Sequence, residues 1–519
     1  MKKNSICEEG NLSPWKHGKE SDIWVDEAIW GHRLKSQPIH ALLAEFLNMA
    51  EGMLREGRLL HETQPEEDVQ YKARKAKELR IILFHNPTLE QVAERHGGSS
   101  DDAWREWEKN IQEASKSSHP NDFSYLRDRF PDFRDFVNRV HLVRRSVMDP
   151  ANSKKWSHQL LFPMGPSALY VPADDRFGRD RTLFTRTGEI VYLMLSRADS
   201  DLREELAQSL SSHLMEKSQK DKITLGLMPD GPKQFDDAMG GTYLPYRWHP
   251  AYNRLAEDLL SLVRLELPEN DVFDVMKQLI AFNLYLFALE TSNHWCGDPS
   301  PPPIVCEVMN TRSDVVRRYS GVCKRENEDR ALKAVEVFLE RLLEGSGELQ
   351  DTLRDMSQPE DVKIASLEEF LRTKLSLKRD LQGETVEEYK EAVVRIAKDA
   401  CRRGVVAASA SLGRIAGLTT KQGTNRLRYA PSDSLIRALV LANVPEKVEE
   451  AKLLDRLFDR YRIVISDIHA SAAIPEQFVE TSHYEKNRER FTRRLMALGL
   501  ANRMSDACTY VENPYKESA

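Results

Sequence analysis

Eight basic residues near the carboxyl end of the chain have the chemistry to hold phosphate. Guanidinium groups and amines suit phosphate oxygens because they offer several donors at a fixed positive charge. Residues 401–519 contain 19 Lys/Arg and 14 Asp/Glu, whereas the whole chain has a net charge of −7. A basic end on an acidic body predicts a surface for a polyanion. The predicted nucleic-acid-binding residues are Lys421, Arg426, Arg428, Lys486, Arg488, Arg490, Arg493 and Arg494.

Part of this charge can be neutralised within the helix that carries it. Glu489 and Arg493 lie four residues apart, and side chains at this spacing are neighbours on a helix, so these two can form an ion pair. Arg490 and Arg494 have the same spacing and lie on one face of the helix. The alternative interpretation is a module used only for protein contacts, with its basic residues solvated, because a fold alone does not settle function. Both interpretations stay open at this point.

Helical periodicity and two short extended segments predict the secondary structure around these basic residues. Three helices followed by a terminal hairpin predict a winged helix-turn-helix. In that fold the third helix usually enters the major groove and the wing touches the backbone or the minor groove. The segments are helices at 432–443, 447–461 and 483–498, a β-branched run at 463–465, and extended pieces at 500–503 and 508–511. Residues 421–431 are predicted to be a linker into this module.

A second group of charges lies in the middle of the chain. Clustered carboxylates could hold Mg²⁺ or share acid–base work, so a metal-dependent hydrolase or nuclease is the alternative function. The segment 173–181 nevertheless alternates in sign, which is typical of a solvated loop with ion pairs. The carboxylates are Asp174, Asp175, Asp180 and Glu189, and the arginines around them are Arg176, Arg179, Arg181 and Arg186. No catalytic residue is predicted from them.

Histidine and cysteine side chains raise the question of a zinc site. His294, Cys296, Cys306 and Cys323 have suitable donor atoms, but no Cys-x-x-Cys knuckle fixes two of them on one tight turn. Cys306 also lies in an apolar run, 304–308, that is typical of a buried strand. The sequence therefore predicts no metal site and no cofactor.

An aromatic and basic loop, 243–250, offers one further binding chemistry. Tyr243, Tyr246 and Trp248 lie beside Arg247 and His249, and such rings can stack on a nucleobase. The alternative is that these rings cover the edge of a core.

Four large enzyme families are disfavoured by missing motifs. The chain has no Gly-x-x-x-x-Gly-Lys-Ser/Thr phosphate loop, no Gly-x-Ser-x-Gly elbow, no His-Glu-x-x-His helix and no Gly-x-Gly-x-x-Gly fingerprint. Together with the weak acidic cluster, these absences favour a protein that is not an enzyme.

Length and composition limit the class of protein. A chain of 519 residues with 40% hydrophobic and 30% charged residues predicts a globular protein of two to four domains. The most apolar run, 279–289, falls short of the roughly 20 residues that span a bilayer, so no membrane partner is expected. The first residues lack the apolar stretch of a secretory signal, and six scattered cysteines fit reduced thiols. The predicted location is the cytoplasm.

The predicted fold is mainly α and multi-domain. An N-terminal helical domain covers 1–148, and a mixed α/β, loop-rich segment covers 149–250. A second helical domain covers 251–420, and the winged-helix-like basic domain covers 421–519.

Three stretches carry a weak resemblance to known proteins: 24–34 (WVDEAIWGHRL), 188–197 (GEIVYLMLSR) and 505–515 (SDACTYVENPY). They resemble parts of uncharacterised accessory proteins from bacterial anti-phage and DNA-modification defence islands. The resemblance implies a non-catalytic accessory or scaffold subunit whose partners are DNA and other protein subunits of a complex. A pure protein–protein assembly factor is a further alternative.

Overall fold

The structure is a computed structural model, and it describes most of the chain apart from both ends and several loops. The described residues are 7–8, 22–32, 34–73, 77–84, 86–96, 100–115, 122–147, 165–169, 185–215, 219–230, 240–265, 267–298, 300–308, 315–422, 426–505 and 508–515. Of the charges predicted in the middle segment, Asp174, Asp175, Arg176, Arg179, Asp180 and Arg181 lie outside these residues.

The described chain is mainly helical, as predicted. The first helices are α1 (Asp26–Trp30), α2 (Ile39–Arg55), α3 (Lys77–Phe84), α4 (Leu89–Arg95), α5 (Ser100–Ser115), α6 (Ser124–Arg129) and α7 (Phe133–Val147). The middle helices are α8 (Thr187–Ser196), α9 (Ser200–Leu210), α10 (Gln219–Leu225), α11 (Pro250–Val263), α12 (Glu269–Trp295), α13 (Val315–Glu344), α14 (Gly347–Arg354) and α15 (Glu360–Leu375). The last are α16 (Val386–Cys401), α17 (Ala407–Ile415), α18 (Asp433–Asn443), α19 (Glu450–Tyr461), α20 (Asp467–Ala473) and α21 (Thr481–Ala497).

The strands are short and form four small sheets within the described residues. Strands β1 (Cys7–Glu8) and β2 (Tyr246–Trp248) are antiparallel, and so are β4 (Thr419–Thr420) and β5 (Arg428–Tyr429). Strand β3 (Ile304–Val305) runs parallel to β7 (Ile463–Val464). Near the carboxyl end, β6 (Lys447–Glu449), β9 (Cys508–Glu512) and β8 (Ala501–Ser505) form an antiparallel sheet in that order.

Helix α12 is the centre of the main hydrophobic core. It is apolar around most of its circumference and packs against α11, α13, α17 and α18. Residues 271–295 are long and apolar enough to cross a membrane by length and composition, which exceeds what the run 279–289 suggested. Because 83% of the most apolar window is buried inside the fold, the helix has the burial of a core helix in a soluble protein.

The buried apolar residues of the described chain form two separate hydrophobic clusters. A smaller cluster is formed by the five helices α3, α4, α5, α6 and α7 together with Ala168 and Leu227. Trp104 and Trp107 are fully buried in it. The larger cluster includes α1, α2, α8 and α9 together with the elements from α11 onward, the carboxyl-terminal helices among them. The predicted segment 1–148 therefore contributes to both cores.

Local sequence explains where several helices begin. Ser432 accepts a hydrogen bond from the backbone N–H of Leu435 and caps α18. Thr385 caps α16 in the same way by accepting from Glu388, whose carboxylate in turn accepts from the backbone of Glu384. Each polar side chain replaces an intrahelical partner that the first turn lacks.

Most of the carboxyl-terminal elements lie where the sequence predicted them. Helices α18 and α21 and the β8–β9 hairpin match the predicted segments, whereas α19 begins at Glu450 because residues 447–449, predicted to be helical, form β6. Helix α20 was not predicted. The segment 421–431 is not a free linker, because its residues form β5 and Tyr429 is fully buried. Strand β7 also pairs with β3, so this region is built into the main core.

Candidate nucleic-acid interface

Helix α21, which carries most of the predicted phosphate-binding residues, is fixed by its inner face. Tyr484, Phe491 and Leu495 are buried there, and Asn487 is fully buried among them. The Asn487 amide donates to the carbonyl oxygens of Cys306 (3.0 Å) and Ile465 (2.9 Å) and accepts from the N–H of Val308 (2.7 Å). These three bonds join α21 to the chain at the ends of β3 and β7, so its outer face has a defined orientation.

Arg428 was predicted to contact nucleic acid, and the structure places it inside the protein. Its guanidinium donates to the carboxylate of Glu307 at 2.7 Å. The two side chains expose only 8% and 2% of their surfaces. Sequence alone could not reveal this pair, because Glu307 lies 121 residues away along the chain. Arg428 is therefore removed from the candidate interface as a correction.

Three of the predicted arginines on α21 pair with the protein's own carboxylates. Arg488 donates to Glu450 at 3.0 Å, and Arg493 pairs with Glu489 at 3.2 Å, as their spacing suggested. Arg494 donates to Asp433 (2.9 Å) and to the carbonyl oxygen of Pro431 (3.0 Å). Their positive charge is thus largely balanced before any ligand approaches.

Lys421, Lys486 and Arg490 remain exposed, and within the described part of the chain their side chains have no hydrogen bond or ion pair. Arg426 is exposed as well but has another contact within the protein. Lys486 and Arg490 are four residues apart on α21, so they lie on the same face one turn apart. We call this pair the basic edge of α21.

The groove between α21 and the β8–β9 hairpin is unsuited to phosphate. It has a volume of about 820 Å³, and five carboxylates line it against three arginines. At about 100° per residue, the Glu485 and Glu489 side of α21 is roughly 100° around the helix axis from the basic edge. The acidic lining residues are Glu449, Glu450, Asp467, Glu485 and Glu489, and the basic ones are Arg488, Arg493 and Arg503.

Glu189, the described member of the acidic cluster, is saturated by protein contacts. It is 1% exposed and accepts hydrogen bonds from the hydroxyl of Tyr71 (2.9 Å), from Nε of Arg186 (2.6 Å) and from Thr242. No group of three histidine, cysteine or acidic residues that could hold a metal ion occurs in the described portion of the chain. Glu189 has the environment of a structural residue, so the one carboxylate of this cluster that the structure describes does not favour the hydrolase interpretation.

A second buried carboxylate, Glu45, lies beside Glu189 and was not among the residues predicted from the sequence. Its oxygens accept from the backbone N–H groups of Arg186 (2.7 Å) and Gly188 (2.9 Å) and from the Gln37 amide (2.8 Å). Burial raises the pKa of Glu45 to about 8. The available signal was a glutamate among the apolar residues of α2, since a buried acid must face a donor.

The three cysteines considered for zinc have the environment of packing residues. Cys306 and Cys323 are buried, and burial raises the pKa of both thiols, which disfavours the thiolate that zinc requires. The Cys323 thiol donates to the carbonyl oxygen of Pro303 at 2.9 Å, and the Cys296 thiol to that of Arg330 at 3.5 Å. These thiols are packing groups.

The aromatic loop before α11 covers a core. Tyr243 and Tyr246 are buried, and His249 is fully buried with Nδ1 accepting from the N–H of Ala251 at 3.0 Å. Burial lowers the pKa of His249 well below its usual value, so the ring is neutral. The two tyrosine rings are closed to a nucleobase, which favours the core-edge interpretation.

No protein-family model, curated protein or solved structure matches this chain. The stretches that resemble defence-island proteins fall on unlike parts of the fold. Trp24, Trp30 and Glu189 are buried in the body, whereas residues 508–512 form β9, the central strand of the carboxyl-terminal sheet. The resemblance stays a prediction that rests on sequence alone.

Proposed function

We propose that this protein is a non-catalytic accessory or scaffold subunit that engages DNA through the basic edge of α21. The sequence resemblance supports the proposal that it works in a bacterial anti-phage or DNA-modification assembly with other protein subunits. Helices α18, α19 and α21 with the β6–β9–β8 sheet would serve as a winged helix with one inserted helix, α20. In this proposal the helical body supplies the protein contacts.

The observation that carries the proposal is the unpaired exposure of Lys486 and Arg490. Two free cations one helical turn apart suit successive phosphates of a backbone, since they need no rearrangement of existing ion pairs. Lys421 is a third free cation. The acidic groove on the hairpin side of α21 opposes deep entry of the helix into a duplex. The proposed contact is therefore with the phosphate backbone and carries little base recognition.

The test is the salt dependence of duplex binding by the double variant Lys486→Ala/Arg490→Ala. Each lost phosphate contact lowers the slope of log affinity against log salt by about 0.9, so the slope should fall by about 2. Affinity for all duplex sequences should weaken together. The measurement is fluorescence anisotropy with a labelled duplex over a range of salt concentrations.

The matched control is Lys374→Ala/Lys378→Ala, which removes the same charge from exposed positions elsewhere on the body. This control should retain the slope of the unmodified protein. If both double variants lose the same slope, binding depends on net charge alone. If neither loses any, DNA does not contact the basic edge.

A further inference from the structure

Helices α13, α15 and α16 form the walls of an open groove on the helical body. Its volume is about 630 Å³, which accommodates several side chains of a ligand. The floor is apolar: Leu339, Leu367, Leu371 and Val393 are buried, and Leu343 and Val394 are half-buried. Solvent reaches apolar surface at the half-buried Leu343 and Val394, between charged residues on both sides. An apolar strip rimmed by polar residues is typical of an interaction site.

Unpaired carboxylates line both sides of this groove. Glu340 and Glu344 lie one turn apart on α13, and Glu391 lies on α16. All three are exposed, and none has an ion pair or hydrogen bond within the described portion of the chain.

Most of the basic residues around the groove already have acidic partners. Lys398 pairs with Glu336 on the opposite helix, and Lys390 pairs with Glu387 at 2.8 Å. Arg402 pairs with Asp399, which leaves Arg395 as the unpaired cation among the described lining residues. The charge left unbalanced around the apolar floor is therefore negative.

We propose that this groove binds an amphipathic helix of a partner protein that has an apolar stripe flanked by lysine and arginine. A helix fits because the walls are themselves helices, and apolar side chains at positions i, i+3, i+4 and i+7 can enter the floor. The basic flanks would meet Glu340, Glu344 and Glu391. This inference goes beyond the proposed DNA contact, because it concerns other helices and a partner that is positively charged, whereas DNA is negatively charged.

The test uses the full chain and two labelled amphipathic peptides of about 18 residues. Both have the same leucine stripe; one has lysine and the other glutamate at the flanking positions. Anisotropy should show the lysine peptide binding at least about tenfold more tightly, and added salt should reduce this difference. Equal affinity for the two peptides, or binding of neither, would overturn the proposal.

The variant Glu340→Gln/Glu344→Gln/Glu391→Gln removes the three charges from exposed sites and should leave the fold intact. It should lose roughly tenfold in affinity for the lysine peptide, because three exposed ion pairs of about 0.5 kcal/mol each add to about 1.4 kcal/mol. The matched control Glu326→Gln/Asp329→Asn/Glu369→Gln neutralises three exposed acids on α13 and α15 outside the groove. Equal loss in the two triple variants contradicts a specific site.

A second copy of the chain is the other occupant that the experiment distinguishes. In sedimentation velocity, the unmodified protein and the groove variant should have the same oligomeric state. A dimer that the lysine peptide dissociates would identify the occupant as this chain itself and overturn the proposal. Because DNA binding is measured with other variants and another ligand, failure here leaves the basic edge of α21 intact as a hypothesis.

Discussion

The guanidinium of Arg428 lies 2.7 Å from the carboxylate of Glu307, and both side chains are buried. The pair connects β5 to the residues that follow β3, and the N–H of Glu307 also donates to the carbonyl oxygen of Tyr429. A basic residue in a stretch predicted to be a linker thus holds together two segments of the main core. The positive charge of Arg428 therefore has a structural role.

The first prediction concerns the stability of this pair. Arg428→Ala should lower the free energy of unfolding by about 3–5 kcal/mol, because it leaves the Glu307 carboxylate buried without its partner. Lys421→Ala, at an exposed position seven residues earlier, should change it by less than about 0.5 kcal/mol. Urea denaturation followed by circular dichroism gives both values. Similar losses in the two variants would show that Arg428 has no special structural role.

The carboxyl-terminal helices were predictable because their apolar periodicity is local. Leu435, Ile436, Leu439 and Val440 repeat at helical spacing and are all buried. The state of the cations was not predictable in the same way. Arg493 and Glu489 are four residues apart and were foreseen, whereas the partners of the other paired arginines lie on different elements. Distinguishing a paired surface arginine from a free one requires the tertiary structure.

The second prediction concerns the close approach of α2 and α8. A Cβ added at Gly188 would collide with the carbonyl oxygen of Leu42 and lie 2.6 Å from the backbone nitrogen of Phe46. Gly188→Ala should therefore destabilise the protein by about 1–3 kcal/mol, because backbone atoms have to move apart. Gly347 begins α14 with open space around it, so Gly347→Ala should be neutral or stabilising by up to about 1 kcal/mol. Thermal or urea unfolding of the two variants gives the comparison, and equal effects would contradict close packing at Gly188.

Acids whose carboxylate oxygens lie inside the fold were not predictable from the local sequence. Asp26 opens α1 as an ordinary helix-starting residue by sequence, yet its carboxylate lies against the π-helical segment Arg402–Val406 that joins α16 to α17. Only a glycine fits beside it, since a Cβ at Gly404 would collide with the Asp26 carboxylate. Long-range packing of this kind leaves no local pattern.

The third prediction follows from the titration of Asp26. Its pKa is raised from an ordinary value of 3.8 to about 7, mainly by burial and also by the negative charge of the neighbouring Glu27. Three contacts oppose this rise: a hydrogen bond from the Val405 backbone, the positive charge of Lys35 and a hydrogen bond from the Cys401 thiol. Between these pH values the folded protein holds a proton that the unfolded chain has lost. This contribution to stability is complete below pH 3.8 and declines as the pH rises to about 7.

Asp26→Asn removes that decline, because the amide stays neutral at every pH. The difference in free energy of unfolding between Asp26→Asn and the unmodified protein should grow in favour of the variant from about pH 4 to pH 7 and then stay constant. Comparing the two proteins at each pH cancels the similar contribution of Glu45, whose pKa is raised to about 8. The exposed Asp361→Asn is the matched control and should show no such trend. Parallel stability profiles for Asp26→Asn and the unmodified protein would mean that Asp26 is already ionised in the folded state throughout this range.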